Sequence, residues 1–208
     1  MNLPIIILGG GGHAKVLINI LLLQKREIIG IVDPNYQNYS QDVLGVNFIG
    51  NDESVLQYSP SEIRLVNAIG STKNTDLRSK ILAHFKQLNY SFLTIIHPSS
   101  IIAQDVKLGE GAQIMAGVII QPSCTIGVNT IINTKTSIDH DCQIGDHVHI
   151  APGVTISGGV SIGDRTHIGT GATIIQNIKI GKNSLVGAGA LVIKDVEDNC
   201  QVWGVPAK

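Results

Sequence analysis

The sequence predicts a two-part architecture: a small α/β unit with a parallel sheet over residues 1–96, then a parallel β-helix over 97–208. Three observations predict it. Strand-like and helix-like segments alternate through the first half, which implies a parallel sheet. From Ile102 onward a six-residue frame places an aliphatic in sixteen consecutive hexads, ending at Val192. The composition is 43% hydrophobic but only 4% aromatic, as expected for a core of thin stacked rungs with no room for large rings.

In the front half, Leu3 to Gly9 reads as a buried strand with Pro4 tolerated at its start. Gly9-Gly10-Gly11-Gly12 punctuates the chain, and His13 to Lys25 has a helical pattern. Glu27 to Val32 forms a second strand that closes at Asp33-Pro34. Ile63 to Ile69 forms a third, stopped by Gly70. A helix is expected near Asn74 to Leu88, and a last strand at Phe92 to Ile96. Residues 97–101, His-Pro-Ser-Ser-Ile, form the junction. No flexible Gly/Ser linker separates the halves, so they are expected to pack together and build one site between them.

The second half is a repeat. Four residues after each frame aliphatic comes a mostly small or β-branched residue, including Val106, Ala112, Cys124, Thr136, Val148, Val160, Ala172 and Ser184, which makes a second inward column. Gly109, Gly127, Gly145, Gly163 and Gly181 recur every eighteen residues, so three hexads make one turn. This spacing predicts a triangular coil, with glycine at corners whose backbone other residues adopt poorly. Rungs at the inter-strand spacing give a prism about 25 Å tall. Periodicity does not set its hand, and the general rule for parallel crossovers favours right-handed.

The formal net charge of −1 offers no basic footprint for a phosphate backbone, which argues against nucleic-acid binding. The longest apolar run, Val16 to Leu23, is interrupted by Asn19 and is too short to span a bilayer. An N-terminus without a basic region or cleavage site, together with three cysteines, leads to the expectation of a cytoplasmic protein.

Two groups of residues could carry chemistry. Gly9-x-Gly11-x-x-Ala14 lies between a strand and a helix, with Asp33 ending the next strand, the context in which backbone amides hold a phosphate. A tight turn without a ligand is the plain alternative. A redox dinucleotide fits poorly, because a unit of this size lacks a second mononucleotide-binding half. In the coil, His140 stands in Ile138-Asp139-His140-Asp141-Cys142. A neighbouring carboxylate raises a histidine's basicity and fixes its tautomer, as a general base requires. A solvated histidine between two solvated acids is the plain alternative. His149 and His167 are eighteen apart, hence one above the other, lining a groove or stacking on a polar edge. Cys124 and Cys142 fall in the inward column and read as core, and Trp203 is expected to pack the exit of the coil.

The GGGGHAKV turn, the VDP and AIG strand ends, the IIHPSS junction, the IDHDC hexad and the VWGVPAK terminus together resemble the sugar O-acyltransferase family. That family includes sialic acid O-acetyltransferases and bacterial nucleotide-linked aminosugar N-acetyltransferases, and the similarity covers essentially the whole chain. The resemblance implies a Rossmann-like nucleotide-sugar-binding domain at 1–96 and a left-handed parallel β-helix of hexapeptide repeats at 97–208, which overrides the general crossover rule. It implies His140 as the catalytic base, with Asp141 behind it where the family often has Glu. His149, the Gly158 amide in Ser157-Gly158-Gly159, Thr170 and Ala188 would contact acetyl-CoA. Gly10, Gly12, His13, Ala14, Asp33, Pro34 and Gly70 would surround the nucleotide-sugar. The implied enzyme is a homotrimer with its site between neighbouring coils. It transfers acetyl directly to the 4-amine of a nucleotide-linked 4-amino-4,6-dideoxy sugar for a bacterial surface glycan, without a metal. Acetylation of a sugar hydroxyl, as on sialic acid, stays open, as does a non-catalytic nucleotide-sugar-binding module. A zinc carbonic anhydrase on the same kind of coil is disfavoured, because no two histidines have the His-x-x-x-x-His spacing.

Overall fold

The structure, a computed structural model, describes residues 3–38, 41–71 and 75–208. Asn74, where the second helix was expected to begin, lies outside these residues. The described chain forms two compact units. One holds the residues up to Gly70 together with Leu77–Ile95, and the other holds Ser71, Thr75, Asp76 and everything from Ile96 onward.

The front unit has four parallel strands, β1 (Ile5–Leu8), β2 (Ile28–Val32), β3 (Phe48–Gly50) and β4 (Arg64–Asn67), in the order β3-β2-β1-β4. All four β1 residues are buried, as expected of a central strand covered on both faces. Two helices, α1 (Gly12–Leu23) and α2 (Asp76–Gln87), supply Leu17, Ile18, Leu21, Leu82 and Phe85 to the core. Fully burying an apolar side chain of this kind contributes about 1.5–3 kcal/mol. The expected last strand is divided: Phe92 makes only an isolated bridge to Leu65, while Ile95–Ile96 begins a sheet of the coil. Strand β3 was not anticipated.

The second unit is the coil, with parallel sheets of five, six and seven strands. The frame aliphatics stack in register, as in Ile126↔Ile144, Ile132↔Ile150 and Ile138↔Ile156. The three faces are named here for Ile138, Ile144 and Ile150, in the order in which the chain winds. Polar members of the inward column keep their hydrogen bonds: Thr130 Oγ1 donates to Gly145 O at 2.8 Å and Thr166 Oγ1 to Gly181 O at 2.7 Å, each one coil further on.

The corner glycines have a different cause from the one expected. Positive φ falls on the third residue after most frame aliphatics, as at Asn129, Asp141, His147, Gly159 and Asn177, where φ lies between 55° and 71°. Gly109, Gly127, Gly145, Gly163 and Gly181 are instead required by close stacking. A Cβ on Gly163 would lie 2.7 Å from Lys182 N and 2.8 Å from Gly181 C, in the next turn of the coil. Cys124 and Cys142 are buried in the inward column, and burial pushes the Cys142 thiol up to about 12. Neither is a nucleophile near neutral pH.

Candidate active site

The hexad that ends at Ile138 turns a corner at Asp139-His140-Asp141, on the edge between the Ile138 and Ile144 faces. Asp139 Oδ1 accepts the His140 N–H at 2.9 Å and fixes the start of the corner. Asp141 has φ +62°, a left-handed conformation that Asp tolerates better than most residues. This backbone folds the carboxylate back, so that Asp141 Oδ2 is 2.7 Å from His140 Nδ1. The carboxylate accepts, so Nδ1 carries the proton and Nε2 presents its lone pair. The hydrogen bond to Asp141 raises the His140 pKa above its ordinary value, and the Asp139 charge adds to the effect.

Gly158 lies one coil further on. A Cβ there would be 2.6 Å from His140 Cε1 and 2.8 Å from Nε2, so only glycine lets the imidazole rest where it does. The Gly158 carbonyl accepts from Asn177 N at 3.0 Å, while its own N–H makes no hydrogen bond among the described residues. A cavity of about 510 Å³ is lined by Asp139, His140, Asp141, Ser157, Gly158, Gly159, Gln176 and Asn177. His140, Asp141 and Gly158 are therefore brought together.

A second cavity, about 1000 Å³, opens on the Ile150 face and is lined by Thr170 and Ala188, with His167, Leu185, Gln201 and Trp203 among its other walls. His149 does not line it. His149 points outward from its strand yet is buried, with its ring 4.9 Å from that of His167 in a T-shaped contact. Its Nδ1 lies 3.0 Å from the Ser71 carbonyl and 2.6 Å from the Ser71 hydroxyl. A carbonyl only accepts, so Nδ1 holds the proton. Asn133 Oδ1 is committed to Thr134 N at 2.8 Å, which leaves Asn133 Nδ2 to donate to His149 Nε2 at 3.3 Å. Ser71 and Asn133 were missed in the sequence, because nothing in their spacing brings them to His149. Trp203, expected to pack the exit of the coil, lies with its ring against Gly187 near that end and stays half-exposed.

In the front unit a cavity of about 380 Å³ is lined by Gly10, Gly11, Gly12, Lys15, Asn38, Gln41, Asp42 and Val43. Gly9 needs its φ of +98° for the turn, but a Cβ on Gly11 or Gly12 would meet nothing within 4 Å, and neither has positive φ. The fold itself does not demand glycine at these two positions. Helix α1 begins at Gly12 with no side-chain cap, which leaves first-turn amides for an anion. Asp33 is buried, and its carboxylate accepts Gly10 N and Asn35 N, both at 2.8 Å, so it braces the glycine turn. His13 and Gly70 adjoin, with 3.5 Å from a Gly70 Cβ position to His13 Cβ. Ala14 is fully buried and serves the packing of α1, while Pro34 is exposed. Arg78 of α2, which the sequence reading overlooked, is buried and donates to the carbonyls of Asn67 and Ile69, fixing the backbone just before Gly70. Burial lowers its pKa to about 9.

Residues 4–85 match the PglD N-terminal domain family, and residues 123–158 and 159–194 match the bacterial transferase hexapeptide family (six repeats). Among solved structures, a histidine-to-alanine variant of GDP-perosamine N-acetyltransferase from Caulobacter crescentus, in complex with CoA and GDP-perosamine, is 38% identical, with a TM-score of 0.92 over 99% of this chain and 95% of that one. The acetyltransferase domain of PglB from Neisseria gonorrhoeae FA1090, in complex with acetyl coenzyme A, is 30% identical, with a TM-score of 0.92 over 100% and 99% of the two chains. WeeI from Acinetobacter baumannii AYE is 25% identical, with a TM-score of 0.89 over 100% and 99%. No match was found among curated protein sequences. The chain belongs to the hexapeptide-repeat sugar acetyltransferases, and its coil is the left-handed β-helix of that superfamily. Among the described residues, no three His, Cys, Asp or Glu side chains are grouped to hold a metal ion, and no helix is long and apolar enough to cross a membrane.

Proposed function

We propose that the protein is an acetyl-CoA-dependent N-acetyltransferase acting on the 4-amino group of a nucleotide-linked 4-amino-4,6-dideoxy sugar, a cytoplasmic step towards a bacterial surface glycan. The observation that carries this reading is the Asp141-backed His140 resting on Gly158, with Nε2 and the Gly158 N–H both available at one cavity. The identity to a GDP-perosamine N-acetyltransferase supports the class of acceptor.

The chemistry follows from these groups. As the acceptor amine adds to the thioester carbonyl, His140 Nε2 takes its proton, and Asp141 stabilises the imidazolium that results. General base catalysis of this kind supplies about 10²- to 10⁴-fold. The Gly158 N–H is placed to donate to the oxyanion, an effect of about 10²- to 10³-fold. Collapse of the adduct breaks the carbon–sulfur bond, and the proton held by His140 passes to the departing thiolate. In the front unit, the uncapped first turn of α1 and the unforced glycines Gly11 and Gly12 suit a nucleotide diphosphate lying against bare backbone. His13, Asp33, Pro34 and Gly70 shape that turn and its neighbour.

Coil topology supports a homotrimer. In a three-sided prism, the edge that carries His140 is opposite the Ile150 face that carries the Thr170 and Ala188 cavity. One copy cannot bring its own base to a thioester bound there, so the base of one coil serves the acyl-CoA on the next. The outward residues of the Ile138 face, Ile101, Ile119, Ser137, Thr155, Thr173 and Leu191, include no charge and suit burial against a second copy. The test is thiol release from acetyl-CoA with UDP-, dTDP-, GDP- and CMP-linked 4-amino-4,6-dideoxy sugars. Release with at least one of them, abolished by His140→Ala, is expected. No release with any amine, and release with a sugar hydroxyl instead, would overturn the N-acetyl assignment.

A further inference from the structure

The cavity on the Ile150 face has two walls that Thr170 and Ala188 do not explain. Trp203 is the only tryptophan of the chain and is 54% exposed. Its ring lies over Gly187, where a Cβ would come within 3.0 Å of Cγ and Nε1. A half-exposed indole backed by a glycine on a cavity wall offers a flat π face to a flat partner. Arg165 lines the same cavity, and its Nε donates to Asn183 Oδ1 at 2.8 Å, which sets the plane of the guanidinium. Arg165 makes no ion pair among the described residues, and Asp76 is the one carboxylate on the lining.

Asn183 and Gly187 stand at opposite ends of a single rung, Leu185–Val186, about 13 Å apart along the backbone. The long Arg165 side chain and the indole both line the cavity, one from each end of that rung. On the acyl-CoA reading above, we propose that Trp203 stacks on the adenine of CoA while Arg165, aimed by Asn183, binds the 3′-phosphate. The cavity then selects CoA over dephospho-CoA, and either of these over pantetheine. Stacking of a base on an aromatic ring and a charge-assisted phosphate contact each support a discrimination of about tenfold or more.

The lone tryptophan provides a direct readout. Its fluorescence should change on titration with CoA and with dephospho-CoA, but not with pantetheine, and CoA should saturate at about tenfold lower concentration than dephospho-CoA. In R165Q the preference for CoA over dephospho-CoA should shrink to about twofold or less. Asn183→Gly, which keeps the left-handed backbone but loses the aiming oxygen, should reduce it partway. Trp203→Phe should retain most of the CoA affinity that Trp203→Ala loses, as measured by calorimetry. Undiminished discrimination in R165Q, or CoA binding that leaves the fluorescence unchanged, would overturn the proposal while leaving acetyl transfer intact. Failure of the wild-type protein to bind any CoA species would instead overturn the acyltransferase reading itself.

Discussion

Replacing Gly158 by alanine isolates the position of His140, the proposed base, from every other feature of the site. The new Cβ would lie 2.6 Å from His140 Cε1 and 2.8 Å from Nε2. Carbon contacts settle at about 3.5–4.0 Å, so the ring must retreat by about 1 Å. Gly158 has no positive φ, so alanine is admissible to its backbone, and the His140 side chain is 61% exposed and free to move. The Gly158 N–H survives the change. A misplacement of about 1 Å costs on the order of 10²-fold in rate. Steady-state kinetics should therefore show kcat lowered about 10²-fold, while a thermal melt stays within a few degrees of wild type. Wild-type turnover in Gly158→Ala would show that the His140 position does not matter, and a collapsed melt would show that Gly158 is a folding residue; either result refutes the reasoning.

Other consequences follow from the same geometry. His140→Ala should lower kcat by about 10²-fold or more with little change in acetyl-CoA affinity, read by calorimetry beside kinetics. Asp141→Asn removes the main cause of the raised His140 pKa. In the proposed mechanism the neutral imidazole is the active form, so the acid limb of the kcat–pH profile should move to lower pH as the plateau falls; an unmoved limb would separate Asp141 from the base. Asp33→Asn turns an amide N–H towards one of the two backbone N–H groups that Asp33 now accepts. The nucleotide-sugar KM should rise about tenfold while that for acetyl-CoA holds, and both rising together would contradict the division of labour. If base and acyl-CoA face come from different copies, co-expressing His140→Ala with Ala188→Trp should restore activity absent from either alone. Random mixing leaves about one interface in four intact.

Legibility in the sequence followed how often a rule was repeated. The coil was readable because each inward position recurs in every turn, so one ambiguous residue could not hide the period. Strand β3, only Phe48-Ile49-Gly50, offered no such repetition. Phe92–Ile96 looked like one strand because all five residues suit a sheet, but strand membership depends on partners that the local pattern does not name. The cause of the eighteen-residue glycine period was misread: stacked turns exclude a Cβ there, and a period cannot distinguish crowding from positive φ. His140 and Asp141 were legible because they adjoin in the chain and interact within one turn. Asn133, Ser71 and Arg78 were not, since each acts on a partner that only the fold brings near. Trp203 was assigned to packing on its residue type, and its exposure is a property of the rung beneath it.

The most direct test of the account is the structure of the reaction product, determined by proton and carbon NMR after incubation of the purified protein with acetyl-CoA and a nucleotide-linked 4-amino-4,6-dideoxy sugar. The account predicts a new amide N–H coupled to the C4 proton, with every sugar hydroxyl untouched, and its absence with His140→Ala. An ester at a ring hydroxyl beside an unmodified amine, or the same amide formed at wild-type rate without His140, would contradict it.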